Sequence, residues 1–288
     1  MGAAAVVERH RAAGREFTAA GVRSFVREAG EGEAVVCVHG VPASSFTWRK
    51  VLGELAREGL RGVAFDLPGL GLAARPRDFD YSWTGLGRWC VAAVDALGLD
   101  RFHLVVHDIG GPVGFELAAS VPERVRSLTV LNTMVEVDAF RRPWMMAPFA
   151  RPIVGELWLA SMARPLFRAL MRYAGIGDRR AVADEEIDAY LDLLRREDGG
   201  RAFLRIMRGF ERTAEKRERY RAVVRSDRYP VQVVWGADDP ALPLRPYGEQ
   251  AARAAGVELQ TVPARHFLQE DQAAAVAARV AALSPAAG

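Results

Sequence analysis

Lysine is nearly missing from this chain. Only Lys50 and Lys216 occur among 288 residues, so arginine carries almost all of the positive charge. Acidic residues are interleaved with the arginines, and the formal net charge is only +3 although the pI is near 9.1. A nucleic-acid surface needs basic residues clustered without compensation, and no such stripe is present. Cysteine is equally scarce. Cys37 and Cys90 are too few for a disulfide framework and fall inside an apolar strand and a helix, where buried thiols sit. No apolar run approaches the length of a membrane span. Residues Met1 to Ala20 read as a short amphipathic helix rather than a charged segment followed by an apolar one, so no signal peptide is visible. A soluble cytoplasmic protein that binds neither nucleic acid nor membrane is expected. Also missing is any Gly-x-Ser-x-Gly pentapeptide, which argues against a generic esterase with a serine nucleophile.

What the chain does have is apolar bulk, 50% of its residues, enough for a large core in one domain with an inserted lobe. Segments Arg15–Ala20 and Val22–Glu28 alternate around Gly21 and predict a β-hairpin. Ala34–Val38 is a continuous apolar strand of the kind buried on both faces, ending at His39-Gly40-Val41-Pro42. A helix over Ser45–Leu60, a strand over Gly62–Asp66 and a helix over Ser82–Leu97 follow. Phe102–Val106 is a strand, Pro112–Ser120 a helix and Val125–Asn132 a strand. Strands alternating with helices at this spacing imply a parallel sheet covered on both faces. The alternation stops between Met134 and Asp227, where only helical periodicity remains. It resumes with strand Val231–Gly236, a helix near Pro246–Ala255, strand Val257–Val262 and a final helix from Asp271, whose alanine-rich end frays at Ser284-Pro285. The expected organisation is a core over 1–133 and 228–288 with a helical cap over 134–227, above the strand ends where open α/β sheets place ligands.

The chemistry concentrates at one turn. Leu104 to Gly111 reads as a buried strand breaking into a glycine-floored turn and then a helix. The residue at the apex of such a turn is pushed out above the sheet, and here it is Asp108. Asp239 follows the strand that ends at Gly236, and His266 follows the last strand, so both land on the same edge as Asp108. The order nucleophile, acid, base is that of α/β-hydrolases. Asp238 is an alternative to Asp239 as the acid. Each fragment alone has a plain structural reading: a helix N-cap for Asp108, an Asp-Pro turn for Asp239, a surface histidine for His266. Four pieces in order, each after a strand, point to catalysis instead.

On these residues the chain resembles the α/β-hydrolase superfamily, and within it the branch of haloalkane dehalogenases and epoxide hydrolases with an aspartate nucleophile. The segments that carry the likeness are His39 to Arg49, Val106 to Gly111 and His266 to Asp271. The resemblance implies an α/β-hydrolase fold, with a mostly parallel twisted sheet, helices on both faces and an inserted helical cap. It implies Asp108 as nucleophile, Asp239 as orienting acid and His266 as base, with the backbone N–H groups of Val41 and Ile109 as the oxyanion hole. It implies no metal or organic cofactor; the reactants are a small hydrophobic organic substrate and water. A homo-oligomer is compatible with it.

Two features depart from the pattern. Dehalogenases of this kind hold halide with a tryptophan after the nucleophile and an asparagine in the first loop; those positions are Ile109 and Val41, whose side chains donate nothing. Trp144, Trp158 and Trp83 are candidates to substitute. Epoxide hydrolases use two cap tyrosines; the matching position is Met207, with Tyr173, Tyr190 and Tyr220 elsewhere in the segment. Arg141 and Arg142 open the cap and are read as solvated charges or as an anchor for an anionic substrate. The side chains expected to contact substrate are His39, His107, Trp144, Tyr173, Tyr190 and Met207. The function expected is haloalkane dehalogenase-like hydrolysis through an alkyl-enzyme ester. The alternatives are an epoxide hydrolase, and a fold repurposed as a biosynthetic enzyme or ligand-binding protein.

Overall fold

The computed structural model describes residues 2–283, built on one eight-stranded sheet. Helix α1 (Ala3–Ala12) precedes a hairpin of β1 (Arg15–Ala19) and β2 (Val22–Ala29). Its turn residues Ala20 and Gly21 both have positive φ, as the twist of a two-residue hairpin requires. Strand β3 (Ala34–Val38) leads through a 3₁₀ turn to α2 (Arg49–Arg57), then β4 (Arg61–Phe65), α3 (Trp83–Ala96), β5 (Phe102–Asp108), α4 (Gly110–Ser120) and β6 (Val125–Thr133). Helices α5 (Val154–Ser161), α6 (Arg164–Leu170), α7 (Asp184–Arg195), α8 (Arg201–Arg208) and α9 (Ala214–Val224) separate β6 from β7 (Val231–Gly236). The chain closes with α10 (Glu249–Ala255), β8 (Leu259–Val262), α11 (Leu268–Asp271) and α12 (Ala273–Leu283).

Strand order is β1-β2-β4-β3-β5-β6-β7-β8. The two strands of the hairpin run antiparallel at one edge and the rest are parallel. The parallel strands are buried on both faces, and their alternation sorts side chains into two cores. Val35, Cys37, Val105 and Leu131 pack with Leu52 and Leu55 of α2 and Val276 and Val280 of α12. Val36, Val38, Val106 and Val130 pack on the other face with Leu86 and Val94 of α3 and Val113 and Leu117 of α4. The loops that carry Val41, Asp108, Asp239 and His266 follow parallel strands and so leave the sheet at its C-terminal edge.

Several boundaries differ from the sequence reading. The N-terminal helix stops at Ala12 because the hairpin takes over at Arg15. The helix expected from Ser45 opens as a 3₁₀ turn, capped by the Ser44 hydroxyl. Residues Met134 to Met146 form turns and irregular backbone rather than helix; Pro143 falls within this stretch and withholds a backbone donor. The expected fraying at Ser284-Pro285 lies outside the described residues. Among the described residues no helix is long and apolar enough to cross a membrane.

Candidate active site

The sequence shapes the elbow by steric necessity. Asp108 ends β5 with φ +54°, a left-handed conformation that costs about 1–3 kcal/mol for a residue with a Cβ. The turn holds because α4 packs tightly against the strands. A Cβ on Gly110 would collide with the Val38 carbonyl oxygen, and one on Gly111 with the Thr133 side chain. Thr133 in turn donates its hydroxyl to the Asp108 carbonyl. The Asp108 side chain does not cap α4, whose N-cap is Ile109. Its Oδ1 accepts instead from the Val41 amide at 2.8 Å, and its Oδ2 lies 3.5 Å from His266 Nε2.

Behind that pair the hydrogen bonds continue inward. His266 Nδ1 is 2.8 Å from Asp239 Oδ2, and Asp239 is fully buried. The second oxygen of Asp239 accepts from the amides of Ala241 and Leu242 at 2.7 and 3.0 Å. Asn132, which the sequence reading passed over, donates Nδ2 to Asp239 Oδ2 at 2.6 Å and accepts the Gly236 amide at 2.8 Å. The only sequence signal for it was a carboxamide closing an apolar strand. Asp238, the alternative acid, is turned elsewhere, toward a surface hollow it shares with Tyr173 and Arg265.

Burial disfavours charge on both reacting groups, but their pairing outweighs it. Burial would raise the Asp108 carboxyl; the hydrogen bond and positive charge of His266 and the Val41 amide hold it below the usual carboxylate range. Burial would lower His266; the negative charge of Asp239, together with Asp108 on the other ring nitrogen, lifts it to about 10. The resting pair is therefore carboxylate and imidazolium.

Above Asp108 lies a cavity of about 100 Å³. Val41, Pro42, Ile109, Leu242 and Phe267 form its floor with the reacting pair, and Met134, Phe149, Leu159, Phe167, Met171, Phe203, Met207 and Phe210 its walls. Of the expected substrate-contacting side chains, Met207 lines this cavity and the other five do not. His39 is fully buried, with Nδ1 on the Gly40 carbonyl and Nε2 accepting from the Leu67 amide, so it braces the loop that carries Val41. His107 donates Nε2 to the His266 carbonyl at 2.8 Å, and burial, then the charge on His266, lower it to about 3; it braces the base loop as a neutral ring. Trp144 is 63% exposed and Tyr173 55% exposed. Tyr190 is buried, donating to Glu270 and lying 3.0 Å from the Thr47 hydroxyl. Trp83, Trp158 and Tyr220 also lie off the cavity. Among the described residues no group of three or more His, Cys, Asp and Glu side chains is arranged to hold a metal ion.

Residues 33–169 match the family model described as the alpha/beta hydrolase fold. A haloalkane dehalogenase of Mesorhizobium japonicum is 30% identical over 297 residues, spanning 91% of this chain and 87% of that protein. The chain belongs to the alpha/beta hydrolase family, in the branch that holds haloalkane dehalogenases and epoxide hydrolases. Bifunctional epoxide hydrolase 2 of Sus scrofa is similar to this hydrolase over a shorter stretch, 39% identical over 114 residues, which is 39% of this chain and 20% of that one. Among solved structures, Cfl2 of Burkholderia cenocepacia superposes with a TM-score of 0.78 at 27% identity, covering 93% of this chain and 94% of its own.

Proposed function

We propose that this hydrolase displaces a leaving group from saturated carbon with Asp108 and frees the resulting alkyl ester with water activated by His266, halide being the leaving group that suits the cavity best. The observation that carries this reading is the division of labour on one carboxylate. Oδ1 is held by the Val41 amide at 2.8 Å, which leaves Oδ2 as the attacking atom. In the first half its electron pair forms a C–O bond while the carbon–halogen pair departs with the halide. The substrate is a small hydrophobic molecule, since the walls are apolar and such pockets select by burial.

The second half follows from the charges. While Asp108 is ionised, His266 lies between two carboxylates and keeps its proton. Alkylation converts Asp108 to a neutral ester and removes one of them. The imidazole then loses its proton more easily and becomes a base poised near neutral pH. It takes a proton from water, hydroxide attacks Asp108 Cγ, and the oxyanion forms where the Val41 and Ile109 amides can stabilise it. Collapse expels the alcohol oxygen, which takes the proton from His266. Asp239 keeps the ring in the required tautomer throughout.

Halide is favoured over an epoxide by the same lining. An epoxide leaves as a basic alkoxide that needs a proton donor opposite Asp108, and among the described residues neither phenol nor indole lines the cavity. A halide departs as a stable anion, although without a dedicated donor turnover is slow. The test is to incubate His266→Gln with 1-haloalkanes and epoxides and weigh the intact protein. The reading expects an alkyl adduct that Asp108→Asn abolishes, with halide released by the wild type. No adduct from either panel refutes ester formation at Asp108, and diol formation without halide release moves the leaving group to the epoxide class.

A further inference from the structure

We propose that Arg142 anchors a carboxylate at one wall of the cavity, so that the preferred substrate is an amphipathic organic acid whose apolar chain runs to Asp108. Among the described residues three charged side chains line the cavity: Asp108, His266 and Arg142. The first two compensate each other, and the third has no counter-ion. Among the described residues Arg142 makes no ion pair, although its neighbours in the helical segment, Arg164, Arg168 and Arg208, all do.

The guanidinium is held in place and still has donors to spare. Nη2 donates to the Met207 carbonyl at 2.8 Å, and its plane lies over the Phe210 ring at 4.5 Å from the centroid. Its Nε is buried with no hydrogen-bond partner. A buried unsatisfied donor on a cation is costly, and a carboxylate is the group whose two oxygens match such a fork. A second unpaired guanidinium, Arg212, anchored on the Phe140 carbonyl, is close enough to reinforce the effect. Burial, then Arg212, lower Arg142 to about 10, a cost that a bound anion would relieve.

Arg142 and Asp108 are held by different parts of the lining: Arg142 by the Met207 carbonyl and the Phe210 ring, Asp108 by the Val41 amide and His266. Apart from these charged groups the lining is apolar. A molecule satisfying both carries its charge at one end and its reacting carbon at a distance, and the stretch between is hydrocarbon.

The chemistry of the reacting carbon rests on the displacement reading above; recognition of the acid does not, and the experiment separates them. Octanoate and 1-octanol, both inert to displacement, are titrated calorimetrically at pH 8 into wild type, Arg142→Met and Arg142→Lys. Octanoate should bind at least about tenfold more tightly than octanol to wild type. The preference should vanish in Arg142→Met with octanol affinity unchanged, and survive in part in Arg142→Lys. Equal affinities in wild type, or an Arg142→Met loss shared by both ligands, overturns the proposal. Should Arg142→Met not fold, the wild-type comparison and Arg142→Lys still decide it. Selective octanoate binding with no adduct on His266→Gln refutes the displacement reading alone; adducts without octanoate selectivity refute this proposal alone.

Discussion

Asp108→Asn should lower the titration of His266 by about 2–3 pH units, and the size of that fall measures how alkylation turns the base on. The amide keeps the shape of the carboxylate and an oxygen for the Val41 amide, and like the alkyl ester it carries no charge. At 3.5 Å and an effective dielectric near 20, one unit charge contributes on the order of 4–5 kcal/mol, equivalent to ~3 pH units. In the wild type the imidazole is lifted from 6.5 to about 10, so the variant should titrate close to neutrality. Linkage gives a second readout. Folding raises the proton affinity of this ring, so its stabilisation is complete below pH 6.5 and lost as pH rises through about 10. Integrated over that window it amounts to about 5 kcal/mol in the wild type and far less in Asp108→Asn. The assays are imidazole titration by NMR and urea unfolding at pH 6 and pH 9.5. A wild-type ring titrating near 6.5, or one whose titration ignores Asp108→Asn, refutes the reasoning and with it the gating of the second half-reaction.

Two further substitutions probe the support of the site. Asn132→Leu removes a charge-assisted bond to Asp239 and leaves the Gly236 amide unsatisfied; the expected loss is about 2–4 kcal/mol of stability, with ester hydrolysis slowed more than alkylation, read by urea unfolding and by persistence of the alkyl adduct. Gly110→Ala drives a Cβ into the Val38 carbonyl, backbone that cannot move aside; destabilisation of about 1–3 kcal/mol should appear as a lower Tm, with loss of adduct formation as the elbow tilts.

The sheet was legible because parallel strands buried on both faces leave short unbroken apolar runs, as at Ala34–Val38 and Val231–Gly236, bounded by glycine and proline. The hairpin was legible from its turn. The stretch Met134–Met146 was misjudged for a physical reason. Its apolar residues, Met134, Phe140, Met145 and Met146, line a cavity rather than one side of a helix, so their density imitated helical periodicity without the hydrogen bonds to match. Asn132 was missed because a polar residue ending an apolar strand is indistinguishable in sequence from ordinary strand termination; its meaning lies in Asp239, 107 positions away.

The substrate-contacting side chains divide along a different line. A tyrosine suits a core as well as a site, and what settles Tyr190 is Glu270, which holds its hydroxyl from a helix 80 positions away and is itself clasped by Arg49 and Lys50. No local pattern carries that information. His107 is the opposite case, since a rule already in the sequence decides it. Successive residues of a strand point to opposite faces, so once Asp108 is assigned to the cavity side its neighbour must turn away. The ring accordingly packs 4.7 Å, centroid to centroid, from His266 and holds that residue's carbonyl. Adjacency to the nucleophile in sequence thus argues for holding the base loop in place, and distance in sequence, as for Arg142 and Met207, is compatible with lining the cavity.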